Sequence, residues 1–178
     1  MSVDLDNPIT DFSGCHDGIL LEFSKLKALP KLLGQLDTFE DAQATAADLR
    51  RFFEKVVKPH HDDEEYDLFR SVRESLKKHP ESAMLAHGYI ARLTEEHRYL
   101  ENRWKYIDKM LKKIVNGKTT ELDIPALTQF AEDYLAHAEF EEAYFLPLAE
   151  EILSDGDKAA LGMSLHIRHL EYPNRTYL

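Results

Sequence analysis

The chain has 178 residues, enough to bury one sizeable core, with 43% hydrophobic and 31% charged residues and only seven glycines and seven prolines. Its net charge of −11 disfavours nucleic acid and anionic membrane surfaces as partners, and no basic stripe offsets it. Cys15 is the only cysteine, which excludes intramolecular disulfides and a thiolate-built zinc site.

The first fifteen residues carry Asp4, Asp6 and Asp11 rather than a signal-peptide core, and no later run reaches membrane length, so a soluble cytoplasmic protein is expected. A first helix is predicted from near Ser13, with His16, Ile19, Phe23 and Leu26 on one stripe and Pro30 and Gly34 ending or loosening it. A second periodic segment runs from about Phe39 through Leu49, Phe53, Val56, His60, Glu64 and Leu68, with Pro59 expected to kink it just before the histidine. The break at His79-Pro80 precedes a third helix, about Ser82 to Val115, which places His97, Leu100, Trp104 and Ile107 on one face and has Gly117 as its stop. Asp123-Ile124-Pro125 opens a fourth, with Phe130, Tyr134, His137, Glu141, Phe145, Leu148 and Ile152 facing inward.

Two similar hairpins result, each with one histidine on its first helix and an H-x-x-x-E-E motif on its second. Long helices on short loops favour an all-α, antiparallel up-down-up-down four-helix bundle over residues 1–155. Ser154-Asp155-Gly156-Asp157 caps a shorter helical extension within 156–178, and Glu171 to Leu178 reads as a tail.

A lone histidine on an apolar stripe is ordinarily a hydrogen-bonded core residue. Here the stripes carry four imidazoles, His16, His60, His97 and His137, and two carboxylates, Glu64 and Glu141, with no lysine or arginine beside them. Burying two unpartnered carboxylates costs several kcal/mol each, so metal cations are the natural counter-charge. A histidine and a glutamate four residues apart share a helix face and can reach one metal. Imidazole with carboxylate suits iron, zinc or manganese, and two glutamates from two helices can bridge a metal pair. The ferritin-like E-x-x-H pattern is missing, since Val57 and Tyr134 precede His60 and His137 by three residues.

Some positions stay open at this level. His61 and Glu65 form an overlapping H-x-x-x-E pair rotated by about 100°. Glu142 faces inward only through a π-type bulge. Glu101, four residues after His97, is expected in solvent or behind the ligands. His87 lies too far from His97 to share its metal, while His79, His166 and His169 are expected at the surface and Cys15 as a packed small residue. Tyr134 and Tyr144 flank the site.

A histidine in helix 1, H-x-x-x-E before Leu68-Phe69, the Glu95-to-Leu100 run and His137-to-Pro147 as H-x-x-x-E-E-x-x-Phe-Leu-Pro together resemble the hemerythrin-like, or HHE cation-binding, family across about residues 10 to 155. The resemblance implies two iron ions with carboxylate and oxo or hydroxo bridges, and roles ranging over oxygen binding, sensing, iron handling and responses to nitric oxide or peroxide. Oxygen-carrying members have H-x-x-x-H in helix 3 and H-x-x-x-x-D in helix 4. Here Leu93 stands at the first of those positions and Glu141 follows His137 by four, which implies more open coordination and argues against a pure carrier. The expectation is a di-iron protein that meets oxygen, nitric oxide or peroxide for sensing, scavenging or protection. Its alternatives are a di-iron enzyme that reduces peroxide or nitric oxide or delivers iron, and a metal-stabilised regulatory module acting with a separate redox or signalling partner. Iron-repair relatives carry a cysteine-bearing amino-terminal domain for which this chain has no room.

Overall fold

The computed structural model describes residues 8–34, 38–118 and 121–171. Among them five long helical elements and no strand occur. α1 is Pro8–Ser24, beginning earlier than the expected Ser13, because Ile9 and Phe12 extend the apolar stripe backwards into the core. A 3-10 turn, Lys25–Lys27, and a short helix, Leu29–Leu33, lead towards α2, which spans 39–75 as one continuous rod. α3 is Ala83–Val115, α4 spans 124–152 and α5 is Asp155–Glu171.

Local chemistry sets these boundaries. Gly117 takes φ +70 after α3, and the N–H groups of Gly117 and Lys118 reach back to the carbonyls of Ile114 and Lys113. That pair of bonds closes a helix end and needs a residue tolerant of positive φ. Asp123 Oδ1 accepts from the Ala126 N–H at 3.0 Å, satisfying a first-turn donor of α4. Ser154 and Asp157 cap each other's backbone N–H groups at the start of α5.

α2 and α4 are not uniformly α-helical. Pro59 has no N–H to donate, and the disturbance expected there takes the form of a wider π turn, Phe53–Val57, where the Lys58 N–H bonds Phe53. Two more π turns begin at the inward glutamates, Glu64–Leu68 and Glu141–Phe145, where the Phe69 and Leu146 N–H groups bond the carbonyls of Glu64 and Glu141. The two hairpins therefore share a backbone irregularity as well as a motif.

α1 packs against α4, α2 against α3, and α3 against α4. Their inward side chains form two apolar clusters. One gathers Ile19, Phe23, Leu49, Phe53, Trp104, Phe130 and Tyr134, with Phe53 stacked on Trp104 at 4.3 Å. The other gathers Phe12, Leu68, Phe69, Leu93, Phe145 and, from α5, Leu161 and Leu165. Between them in sequence along α1, α2, α3 and α4 lie the histidines and glutamates.

α5 is 17 residues long, as long as α1, and its polar face is engaged as well as its apolar one. Arg168 Nε and Ser164 Oγ bond the two oxygens of buried Asp67 at 2.5 and 2.6 Å, and His169 Nε2 lies 2.9 Å from Asp63 Oδ2. His169 is thus not a surface residue as expected, because a buried acid on α2 recruits it. His166 is exposed, in line with expectation, His79 is half-buried, and His87 is exposed. The end of the expected tail, 172–178, lies outside the described residues.

Candidate metal centre

All six sequence-predicted residues converge between the two apolar clusters. His16, His60, His97 and His137 are at most 4% exposed, and Glu64 and Glu141 are completely buried. α1 and α3 each supply one histidine, while α2 and α4 each supply a histidine and, one turn on, a glutamate.

The Nε2 atoms of all four histidines and both oxygens of both glutamates are buried without a hydrogen-bond partner. Several nevertheless approach one another closely. His60 Nε2 is 2.9 Å from Glu64 Oε1, and His97 Nε2 is 3.0 Å from Glu64 Oε2. Glu141 Oε2 lies 3.7 Å from His16 Nε2 and 3.8 Å from His137 Nε2. The short approaches lack the orientation of a hydrogen bond. Two ligand atoms each about 2.1 Å from a shared cation, at right angles, sit roughly 3 Å apart, and such atoms aim at the ion rather than at each other. Glu64 thus turns one oxygen to His60 and the other to His97, the disposition of a bridging carboxylate. Two compatible ligand groups result, His16 with His60 and Glu64, and His97 with His137, Glu64 and Glu141.

The other ring nitrogens are held from behind. His16 Nδ1 donates to Glu142 at 2.8 Å, His97 Nδ1 to Glu65 at 2.8 Å and His137 Nδ1 to Glu96 at 3.0 Å. His60 has a side-chain hydrogen bond to Cys15. These bonds select the tautomer whose Nε2 lone pair faces the centre, an arrangement typical of metal-bound imidazole. The supporting acids are themselves anchored, Glu65 by Arg98 at 2.5 Å, Glu96 by Arg92 at 2.7 Å and Glu142 by Ser13 at 2.7 Å.

The electrostatics are those of crowded ligands sharing protons. For Glu64, burial favours the neutral form, but the charges of the closely approaching His60 and His97 outweigh it and hold the carboxyl well below its usual range. Glu141 goes the other way, driven up by burial and then by the Glu64 charge. Burial opposes protonation of His60 and His97, yet Glu64 raises both, helped by Cys15 at His60 and by Glu65 at His97. His137 is pulled down to about 4 by burial, against its bond to Glu96. Protons thus compete at His60, His97 and Glu141 with the cations that would otherwise balance the charge.

The positions left open by spacing are now placed. Glu65 and Glu142 lie behind the ligands, and each serves the histidine of the opposite hairpin. The π turn at Glu141 does not carry Glu142 inward. Glu101 also lies behind, its Oε1 3.4 Å from His61 Nδ1. His61 is itself buried in the centre, stacked on His97 at 4.1 Å with Nε2 3.2 Å from the Tyr134 hydroxyl. Tyr134 is fully buried, but Tyr144 is exposed and packs with Tyr89 and Phe140, because the α4 stripe has turned past it. Cys15 is half-buried and is a hydrogen-bonding partner rather than a filler. Glu96 was not singled out by sequence, although its place beside His97 matches that of Cys15 beside His16.

The hemerythrin HHE cation binding domain matches residues 7–149. The chain belongs to that family. An uncharacterised protein of Haemophilus influenzae is 23% identical over 163 residues, which cover 92% of this chain and 90% of the relative. No solved structure matches the chain. Membership carries cation binding with it, and the unpartnered Nε2 and carboxylate atoms are a donor set suited to such ions. Among the described residues no helix is long and apolar enough to cross a membrane.

Proposed function

We propose that the chain is a cytoplasmic di-iron protein in which His16, His60, Glu64, His97, His137 and Glu141 hold two metal ions that meet oxygen, nitric oxide or peroxide for sensing, scavenging or protection. Residues 1–155 form its antiparallel four-helix domain and 156–178 the extension. The observation carrying this reading is the convergence of four unpartnered Nε2 atoms with two unpartnered, fully buried carboxylates. Without cations that arrangement leaves polar atoms desolvated at a cost of several kcal/mol. Imidazole and carboxylate ligands suit iron, and also zinc or manganese.

When bound, a pair of irons supplies redox equivalents and Lewis acidity at the centre. The chain's own residues prepare that place. Glu65, Glu96 and Glu142 accept the Nδ1–H bonds and so keep the Nε2 lone pairs inward. The apolar clusters exclude bulk water at either end. A cleft of about 480 Å³, lined by Ser13, His16, Leu20, Ala138, Glu142 and others, lies between α1 and α4 on the outer side of His16.

Anaerobic loading with ferrous iron, metal analysis, and optical spectra before and after oxygen or azide test the proposal. About two irons per chain and an azide- or oxygen-sensitive spectrum are expected. Undiminished binding in the His60→Ala, His137→Ala double variant would refute it. Steady-state turnover with a reductant separates catalysis from stoichiometric capture.

A further inference from the structure

The two hairpins match at their inward histidines and glutamates, and two departures beside them are informative. His16 corresponds to His97, His60 to His137, Glu64 to Glu141 and Glu65 to Glu142. At two linked positions the match fails. His61 corresponds to Ala138, and Glu101 corresponds to Leu20. The first hairpin's imidazole and the second hairpin's acid meet each other, Nδ1 to Oε1 at 3.4 Å. Their counterparts, Ala138 and Leu20, line the cleft.

The His61–Glu101 pair repeats the construction of the other histidines, an imidazole with an acid behind its Nδ1. Ligand atoms of His61, His97 and His137 lie within 4.8 Å of one another. His61 differs in one respect. Its Nε2 is not unpartnered, because the Tyr134 hydroxyl sits 3.2 Å away. With Nδ1–H directed to Glu101, Nε2 can only accept, so Tyr134 donates. That is the tautomer a metal requires, with a hydroxyl covering the lone pair.

We infer that His61 is a third imidazole ligand of the metal held by His97 and His137, and that Tyr134 is a built-in competitor that caps His61 Nε2 until the metal displaces it. This rests on the di-metal reading and deepens it. His61 supplies from α2 an imidazole that Leu93 cannot supply from α3. The two metal positions are consequently unequal, three imidazoles on the His97 side and two on the His16 side. Exchange of Nε2 between hydroxyl and metal neither adds nor removes a proton from either group.

Anaerobic titration with ferrous iron in competition with a chromophoric chelator tests this in the full chain. His61→Phe preserves a ring against His97 and removes the ligand atoms. It is expected to weaken one of two ferrous ions by tenfold or more and leave the other unchanged. Glu101→Gln, a milder change, is expected to weaken the same ion by roughly tenfold, and Tyr134→Phe to tighten it several-fold. Circular dichroism checks folding, and if His61→Phe does not fold, the Glu101 and Tyr134 variants decide. Two unchanged affinities in His61→Phe, or in Glu101→Gln where that variant decides, would overturn the ligand assignment, and no tightening in Tyr134→Phe would overturn the competition. Failure of the unmodified chain to bind ferrous iron would instead refute the di-metal reading itself.

Discussion

The His16 side and the His97 side of the centre are built from the same pattern and finished differently. On both, a histidine from the first helix of a hairpin is steadied by the second glutamate of the opposite H-x-x-x-E-E motif, Glu142 for His16 and Glu65 for His97. On both, the histidine of the motif is steadied by the residue preceding the first histidine, Cys15 for His60 and Glu96 for His137. The His97 side is enclosed by His61 and Tyr134, whereas the His16 side faces a cleft walled by Ala138 and Leu20. One duplicated scaffold can therefore be enclosed differently on its two sides, with the difference confined to a few side chains.

The largest test of that comparison is removal of what the two sides share. Glu64 turns one oxygen to each, so Glu64→Gln is expected to abolish tight binding of both ions, not one, in a metal titration. Glu141→Gln should behave differently in the metal-free protein. Its carboxyl is already driven towards the neutral form, so the amide should change the urea midpoint little while metal affinity falls.

Metal removal comes next. A ligand at a hundred times its dissociation constant stabilises a fold by about 2.7 kcal/mol, which corresponds to roughly 5 to 11 °C for a chain of this size. Calorimetry of loaded and chelated protein should show at least that separation, and equal midpoints would show that the centre contributes nothing to folding.

A smaller effect should distinguish the supporting groups. Glu96→Gln is expected to weaken the ion at His137 by roughly tenfold, whereas Cys15→Ala should weaken the ion at His60 by less, because a thiol is a poorer acceptor than a carboxylate. Equal losses would mean that the two supports are interchangeable.

The gentlest lever is pH. Metal competes with protons, and His60 and His97 retain theirs above the ordinary value of 6.5. Affinity should therefore rise as pH increases above 6.5, with proton release measurable by an indicator dye. His137, pulled down to about 4, is already neutral at pH 7 and should add no proton to that count. His60→Ala should reduce the release, and His137→Ala should not.

Much of this centre was legible in the sequence, for a physical reason. His16, His60, Glu64, His97, His137 and Glu141 each sit in register with apolar residues on a helix, so burial could be read from spacing alone. The crossed supports were not legible, because Glu65 and Glu142 find their partners on another hairpin, and periodicity describes only one helix at a time. His61 was ambiguous since two H-x-x-x-E pairs overlap there. The π turns at Glu64 and Glu141 leave no compositional mark beyond Pro59 and Pro147 nearby. The docking of α5 was hidden for a similar reason. Asp63 and Asp67 resemble parts of a solvated acidic run until Arg168, Ser164 and His169 are brought over them.

The crossing of supports has a consequence for assembly. Since Glu142 steadies His16 and Glu65 steadies His97, neither hairpin alone can orient its own leading imidazole. Each lends the other a carboxylate, as two copies related by a twofold axis would. Hairpin docking and imidazole orientation are therefore coupled, and a chain cut in the loop between α2 and α3 should recover metal only when both fragments are present together.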